Sequence, residues 1–429
     1  MPRRVTVMAV GTRGDVDPLM ALAAGFVRAG VPVRMATHME FRSEAIDSGM
    51  AFYPLPGDTR AFYSTAEGRD FRAPNRGIAS IAGFYGRVLP YFTTQLARAC
   101  MYCVGDADAL VCDYTMAWIS SYAASLKIPV GVASIFPSLP TSSLPPLWQP
   151  SWDRLGGPGR RTGHFVVDGL HLLGSRSMRA ATTAVLSPGG YVPPGAIKDL
   201  RQVRSLPTVV GVSPAVLPSP PDWPSTARVT GYWRTTPPTG WQPPDDVMAF
   251  LAAGAPPVVA GFSSVVADDP AGLARMVAQS VRAAGRRVLL LAGWGAFDAA
   301  VVTGDDVLVV DRLPHEWILS RAAAFVHHGG AGSAGAAFRA GVPQVVVPFC
   351  LDQPYWGRRA VALGVASESI PIRRLTQARL TRAVRKAVNN PVFAERAGDL
   401  ASRMRGDDGV ADATRFLIEE LGLRAQAAV

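Results

Sequence analysis

The sequence is poor in cysteine and histidine, with four and six in 429 residues. Cys100, Cys103, Cys112 and Cys350 are too few for a disulfide-built domain. Their scarcity suits a reducing compartment, so a cytoplasmic location is expected. Cys100 and Cys103 form a single CxxC with neither a second pair nor a nearby histidine pair. That pattern reads as buried thiols rather than a metal or redox centre. No uninterrupted apolar run reaches bilayer-spanning length. Residues 119–136 come nearest and are broken by Lys127 and Pro129. Val5–Val10 is followed at once by Arg13 and Asp15, which reads as a first core strand and not a secretory signal. A well-placed DxD-type carboxylate cluster is also missing. Asp245-Asp246, Asp268-Asp269 and Asp305-Asp306 read as loop or cap residues, so no metal is expected. Gly11-x-x-Gly14 is not the dinucleotide fingerprint, which argues against a nucleotide-dependent dehydrogenase. Charged residues make up only 18%, yet the net charge is +10. The excess fits anionic ligands or peripheral contact with a membrane surface. It lies in scattered pairs (Arg160-Arg161, Arg286-Arg287, Arg358-Arg359) without interleaved aromatics, so nucleic acid is not an expected partner.

What is present is a repeated strand–helix alternation. Val5–Val10 reads as a strand, Pro18 opens a helical pattern closed by Gly30, and Val31–Ala36 reads as the next strand. The pattern returns at Ala109–Cys112, Val130–Ile135 and, less clearly, Val209–Val212. It restarts at Val258–Phe262, Val288–Ala292, Val307–Val310, Ala323–Val326 and Val345–Pro348. Between the two series, residues 216–245 carry eight prolines (218, 220, 221, 224, 237, 238, 243 and 244), as a stiff connector would. Length alone favours two domains. The expected division is a first domain over 1–215, a linker over 216–245 and a second domain over 246–429, with the last helix free to pack back on the first domain. The fold class expected is α/β, two Rossmann-like domains facing across a cleft, with ligands at the carboxyl ends of the strands. Residues 137–193, rich in Pro, Ser and Gly, read as a long insertion of uncertain order.

Two stretches carry chemistry. His327-His328-Gly329-Gly330-Ala331-Gly332-Ser333 follows a strand and precedes a helix. Glycines let the backbone approach a ligand, and a helix start offers N–H groups and partial positive charge, which suits a diphosphate. His328 and Ser333 add polar groups, and Gly330 and Gly332 supply the close approach. Asp352-Gln353-Pro354, at the end of another strand, places a carboxylate beside an amide, a pair able to read several sugar hydroxyls. Asp352 also has the position of a simple helix cap.

These stretches, with Gly11-Thr12-Arg13-Gly14-Asp15-Val16, Thr37-His38 with Phe41, Gly231-Tyr232-Trp233, Gly261-Phe262-Ser263-Ser264, Leu313-Pro314-His315-Glu316-Trp317 and Gly341-Val342-Pro343, resemble the family 1 glycosyltransferases of GT-B fold. The sterol glucosyltransferase-like and bacterial natural-product branch is the most similar. Matches run from the first loop to about residue 375, leaving 137–193 unplaced. The resemblance implies a hexosyltransferase using a UDP- or dTDP-sugar as co-substrate, with no other cofactor, and an apolar acceptor such as a sterol, polyketide or macrolide. By position it assigns the donor to Arg13, Ser264, Arg312, His315, His328, Gly330, Gly332, Ser333, Asp352 and Gln353. Asp15 stands where relatives carry the catalytic base, and Asp113 resembles the acid that orients it. Phe84, Tyr85, Trp118 and Phe136 are candidates for the acceptor pocket. Two departures stand out. Ser263 occupies a position that is usually Gly, and Ala336 replaces a ribose-binding Glu of plant relatives.

The implied chemistry is direct displacement with inversion, in which Asp15 takes the acceptor proton. If Asp113 lies close to Asp15, one of the two carboxyls titrates high. A cap for the first helix is the competing reading of Asp15, with Asp17 better placed for that role. A GT-like helper protein without turnover is the rival function, and retention of Asp15, His328 and Asp352 argues against it.

Overall fold

The computed structural model describes residues 4–65, 68, 89–147, 149–186, 190–234, 240–265 and 267–423. The chain divides into two compact units. One comprises Met1–Thr235 with Asp407–Val429, the other Thr236–Gly406.

The first unit is built on a parallel sheet of β1 (Val5–Met8), β2 (Val33–Thr37), β3 (Ala51–Pro54), β4 (Ala109–Asp113), β5 (Val130–Ser134), β6 (Thr208–Val210) and β7 (Ala227–Val229). Their order is β3-β2-β1-β4-β5-β6-β7, so the winding reverses between β1 and β4. Alternate residues enter opposite cores: Val5, Val7 and Val111 on one face, Met8, Leu110 and Cys112 on the other. Burial on both faces explains why these strands read as continuous apolar runs. The longer helices are α1 (Arg13–Arg28), α2 (Leu89–Gly105) and α3 (Gly156–Leu186).

The second unit carries a parallel sheet of β8 (Val258–Gly261), β9 (Val288–Leu291), β10 (Val307–Val310), β11 (Ala324–His327), β12 (Gln344–Val346) and β13 (Ala366–Ser369), ordered β10-β9-β8-β11-β12-β13. Here the reversal lies between β8 and β11, with Gly261 paired to His327. Its helices include α4 (Pro270–Ala283), α5 (Ala331–Ala340), α6 (Gln353–Ala362), α7 (Gln377–Asn389) and α8 (Pro391–Met404). After residue 406 the chain returns to the first unit as α9 (Gly409–Glu420), which packs on α1. The contact is close. A Cβ on Gly25 would come within 2.4 Å of the Thr414 hydroxyl.

Three sequence expectations change. The first helix opens at Arg13, not Pro18, because Thr12 and Asp15 cap it. Within residues 137–193, left of uncertain order by the sequence, Gly156–Leu186 forms the 31-residue α3. Its glycines disguised it, and Gly163 is needed there, since a Cβ would reach 2.5 Å from the Trp152 ring. The stretch from 216 is not free connector throughout. Val216, Leu217 and Trp233 are buried in the first unit, and β7 completes its sheet.

Candidate active site

In the first unit, the first turn of α1, close behind β1, carries Asp15. Its carboxylate accepts from the Thr12 N–H (2.8 Å) and the Thr12 hydroxyl (3.0 Å). Asp15 thus takes the capping part considered for Asp17, which instead pairs with Arg13 at 3.5 Å. Burial pushes the Asp15 carboxyl up, and the two Thr12 bonds oppose it. Asp113, the last residue of β4, is 8% exposed. One of its oxygens accepts from the Val10 N–H (3.3 Å), the other from the Thr115 N–H (2.7 Å) and hydroxyl. Burial drives its carboxyl up to about 6 against the Thr115 bonds, and the Asp15 charge adds to the rise. The reversal between β1 and β4 therefore brings the two acids together.

Arg13 points elsewhere, to Glu44 at 2.6 Å with its guanidinium over the Phe41 ring. Trp118 is half-buried beside the Cys112 core. Phe136 meets Tyr114 edge-on at 5.9 Å. Tyr114 escaped the sequence reading although it adjoins Asp113. Burial pushes its phenol up to about 12, so it is a neutral donor. Phe84 and Tyr85 lie outside the described residues. Cys100, Cys103, Cys112 and Cys350 are buried free thiols. Among the described residues no group of three His, Cys, Asp or Glu is placed to hold a metal ion.

In the second unit, β11 ends at His327 and α5 begins four residues later. Gly330 is the N-cap and supplies no side-chain cap. The turn requires Gly329 (φ +88°), where a Cβ would come within 2.7 Å of Val346 and 2.9 Å of the Gln353 carbonyl. His327 is structural. Its Nδ1 accepts from the Gly329 N–H at 3.2 Å, its Nε2 donates to the side-chain Oε1 of Gln344 at 3.0 Å, and its ring stacks on Phe325. His328, 7% exposed, lies against Gly330, where a Cβ would come within 2.5 Å of its Nε2. Its Nδ1 is buried without a partner among the described residues. Burial and the nearby His315 push His328 down to about 3. Burial, and then Arg339, take His315 to about 4. Both shifts favour the neutral imidazole. Ser333 is buried, Gly332 is exposed, and Arg312 is exposed on the loop before His315.

Asp352 reaches across to this helix start. It accepts from the Ala331 N–H (3.2 Å) and the Trp356 indole (2.9 Å). Gln353 is buried, and its side-chain oxygen accepts from the Phe349 and Cys350 N–H groups at 2.8 and 3.1 Å. That arrangement staples the loop. Ser264 is half-buried in the loop after β8, the strand that lies between β9 and β11.

Comparison with known proteins agrees with this architecture. Residues 5–136 match the glycosyltransferase family 28 N-terminal domain, and 291–419 match the C-terminal domain of erythromycin biosynthesis protein CIII-like proteins. A sterol 3-beta-glucosyltransferase of Arabidopsis thaliana is 30% identical over 98% of this chain and 66% of its own length. One from Aspergillus terreus is 31% identical over 97% of this chain and 30% of its own length. The chain belongs to the GT-B glycosyltransferases of family 1. Its fold is shared with the crystal structure of the calicheamicin glycosyltransferase, at TM-score 0.73 and 20% identity over 99% of this chain and all of that one.

Both departures of this family 1 glycosyltransferase from its relatives have a structural counterpart. Ser263 sits at φ +52°, which is why glycine suits the position. Its carbonyl accepts from the Trp294 N–H at 3.1 Å, tying the ends of β8 and β9. Ala336 is buried in an apolar cluster with Val259 and Phe325.

Proposed function

We propose that the chain is an inverting hexosyltransferase that moves glucose or a related deoxysugar from a UDP- or dTDP-sugar to a hydroxyl of an apolar acceptor. The observation that carries this reading is the start of α5: a helix without a side-chain cap of its own, beside a neutral histidine whose buried Nδ1 has no partner among the described residues. An anionic diphosphate is favoured there by the helix N–H groups and by hydrogen bonding from His328. The sterol glucosyltransferase relatives support glucose and an apolar acceptor, and Phe136, edge-on to the Tyr114 that adjoins Asp113, supplies apolar surface.

In this scheme the acceptor oxygen attacks the anomeric carbon as the bond to the diphosphate breaks. Asp15 takes the hydroxyl proton, and Asp113 keeps a second acid beside it. Charge that builds on the leaving diphosphate is met by the α5 N-terminus and His328, with no step assigned to a metal. Asp352 contributes by orienting the helix start. The deciding experiment incubates the protein with UDP-glucose or dTDP-glucose and a sterol or aromatic polyketide in EDTA. Product is followed by mass spectrometry and its anomeric configuration by NMR. An acceptor carrying one hexose of inverted configuration is expected. Donor binding without transfer to any acceptor, and without donor hydrolysis, would instead identify a helper protein. Activity restored only by Mg²⁺ or Mn²⁺ would overturn the metal-free scheme.

A further inference from the structure

The turn that leads from β1 into α1 and Asp15 is gripped by two side chains that the reaction scheme leaves unused. Gly11, at φ +127°, donates its N–H to Nε2 of His38 at 3.2 Å. Its carbonyl accepts from the Thr59 hydroxyl at 3.0 Å. His38 and Thr59 are buried, with 2% and 3% exposed. His38 follows the last residue of β2, and its ring lies on Gly57, where a Cβ would come within 3.2 Å of Cε1. Two segments distant in sequence thus fix both polar groups of one peptide-bearing residue.

That residue is in turn the floor under the acid. A Cβ on Gly11 would lie 2.5 Å from the Asp15 carboxylate oxygen, so carboxylate and backbone are in direct contact. Moving Gly11 moves the surface on which Asp15 rests. The Gly11 N–H needs an acceptor, so the imidazole holds its proton on Nδ1 and is neutral. Burial pushes His38 below the usual histidine range, with the Leu55 backbone and Asp58 opposing, which keeps Nε2 an acceptor at neutral pH.

We propose that His38 is a positioning residue: with Thr59 it clamps the Gly11 peptide and so holds the Asp15 carboxylate at the end of β1, beside Asp113. The catalytic part of this inference rests on Asp15 acting as the base, whereas the clamp itself does not. Misplacing a reacting group by about 1 Å can cost roughly 10²-fold in rate.

The test compares His38→Leu, which keeps bulk without an acceptor, with His38→Gln, whose side-chain oxygen can accept the Gly11 N–H. Three readouts are taken on the full chain: kcat, KM for the nucleotide sugar, and amide hydrogen exchange of residues 10–12. For the Leu variant we expect kcat to fall about tenfold or more, with donor KM unchanged and faster Gly11 exchange. The Gln variant should recover most of both. In an Asp15→Asn background, His38→Leu should lower kcat little further, because both changes act through one group. Thr59→Val removes the other arm with little change in volume and should give a weaker form of the same pattern, which covers the case of a Leu variant that fails to fold. A folded Leu variant with normal kcat and a protected Gly11 amide overturns the proposal, as does equal loss in Leu and Gln. If Asp15→Asn keeps full turnover while Gly11 still exchanges faster in the Leu variant, the base assignment fails and the clamp stands.

Discussion

Each unit has a strand that runs into a glycine turn and a helix at the point where its sheet reverses, but the two turns are closed differently. Behind β1 the helix start is sealed from within: Thr12 is the N-cap, and Asp15 accepts from both its N–H and its hydroxyl. Behind β11 the helix start has only Gly330 as a cap and borrows a carboxylate, Asp352, from another strand end. The titrating groups differ in the same sense. Burial raises the carboxyls of the first turn, which favours proton transfer, and keeps the imidazoles of the second turn neutral, which favours hydrogen bonding to an anion. On the function proposed above, proton chemistry belongs to the first unit and the donor diphosphate to the second.

The sharpest way to break that division is Asp15→Asn. The amide keeps an oxygen for Thr12 but cannot take a proton, so kcat should fall about 10²-fold or more while the melting temperature stays close to wild type. Near-normal turnover would reduce Asp15 to a cap. Asp15→Ala is the poorer test, because losing the capping pair adds a stability cost of about 0.5–2 kcal/mol.

Asp352→Ala should have the next largest effect, since it leaves the Trp356 indole and the Ala331 N–H without that carboxylate. We expect about 1–3 kcal/mol of lost stability together with weaker donor binding. Lost stability with unchanged donor KM would confine Asp352 to a structural part.

Asp113 gives a pH-dependent effect. Its folded carboxyl titrates near 6, above the ordinary value of about 4. The folded state therefore holds this proton more tightly. Its contribution to stability is fully present below about pH 4 and is lost as pH rises through about 6. Asp113→Asn should flatten the melting-temperature slope between those limits and remove an inflection near pH 6 from kcat/KM. An unchanged profile would separate Asp113 from Asp15. The smallest effect is expected from Ser263→Gly. Relief of a left-handed serine should raise stability by up to about 1 kcal/mol, and a clear loss would show that the serine side chain holds the loop.

Much of this was readable from residue order. The apolar strands announced two parallel sheets, and the His327–Ser333 and Asp352-Gln353 stretches lay at strand ends as their spacing implied. What stayed hidden depended on contacts between distant segments. Asp17 read as the better cap because the partner of Asp15, Thr12, became visible only once the helix was seen to start at Arg13. Gln353 read as a sugar ligand, yet its oxygen is committed to two backbone N–H groups. The His38–Gly11 and Thr59–Gly11 bonds span 27 and 48 residues, beyond the reach of any local pattern. α3 was concealed by glycine content, and β7 by the prolines around it.

The division of labour is tested most directly by titrating UDP and dTDP into His328→Ala and Asp15→Asn by calorimetry, alongside kcat for each. The account predicts that His328→Ala loses about tenfold or more in nucleotide affinity, with a parallel loss of turnover. It predicts that Asp15→Asn binds nucleotide as wild type does and loses turnover alone. Unchanged affinity in His328→Ala, or an equal loss of affinity in Asp15→Asn, would contradict it.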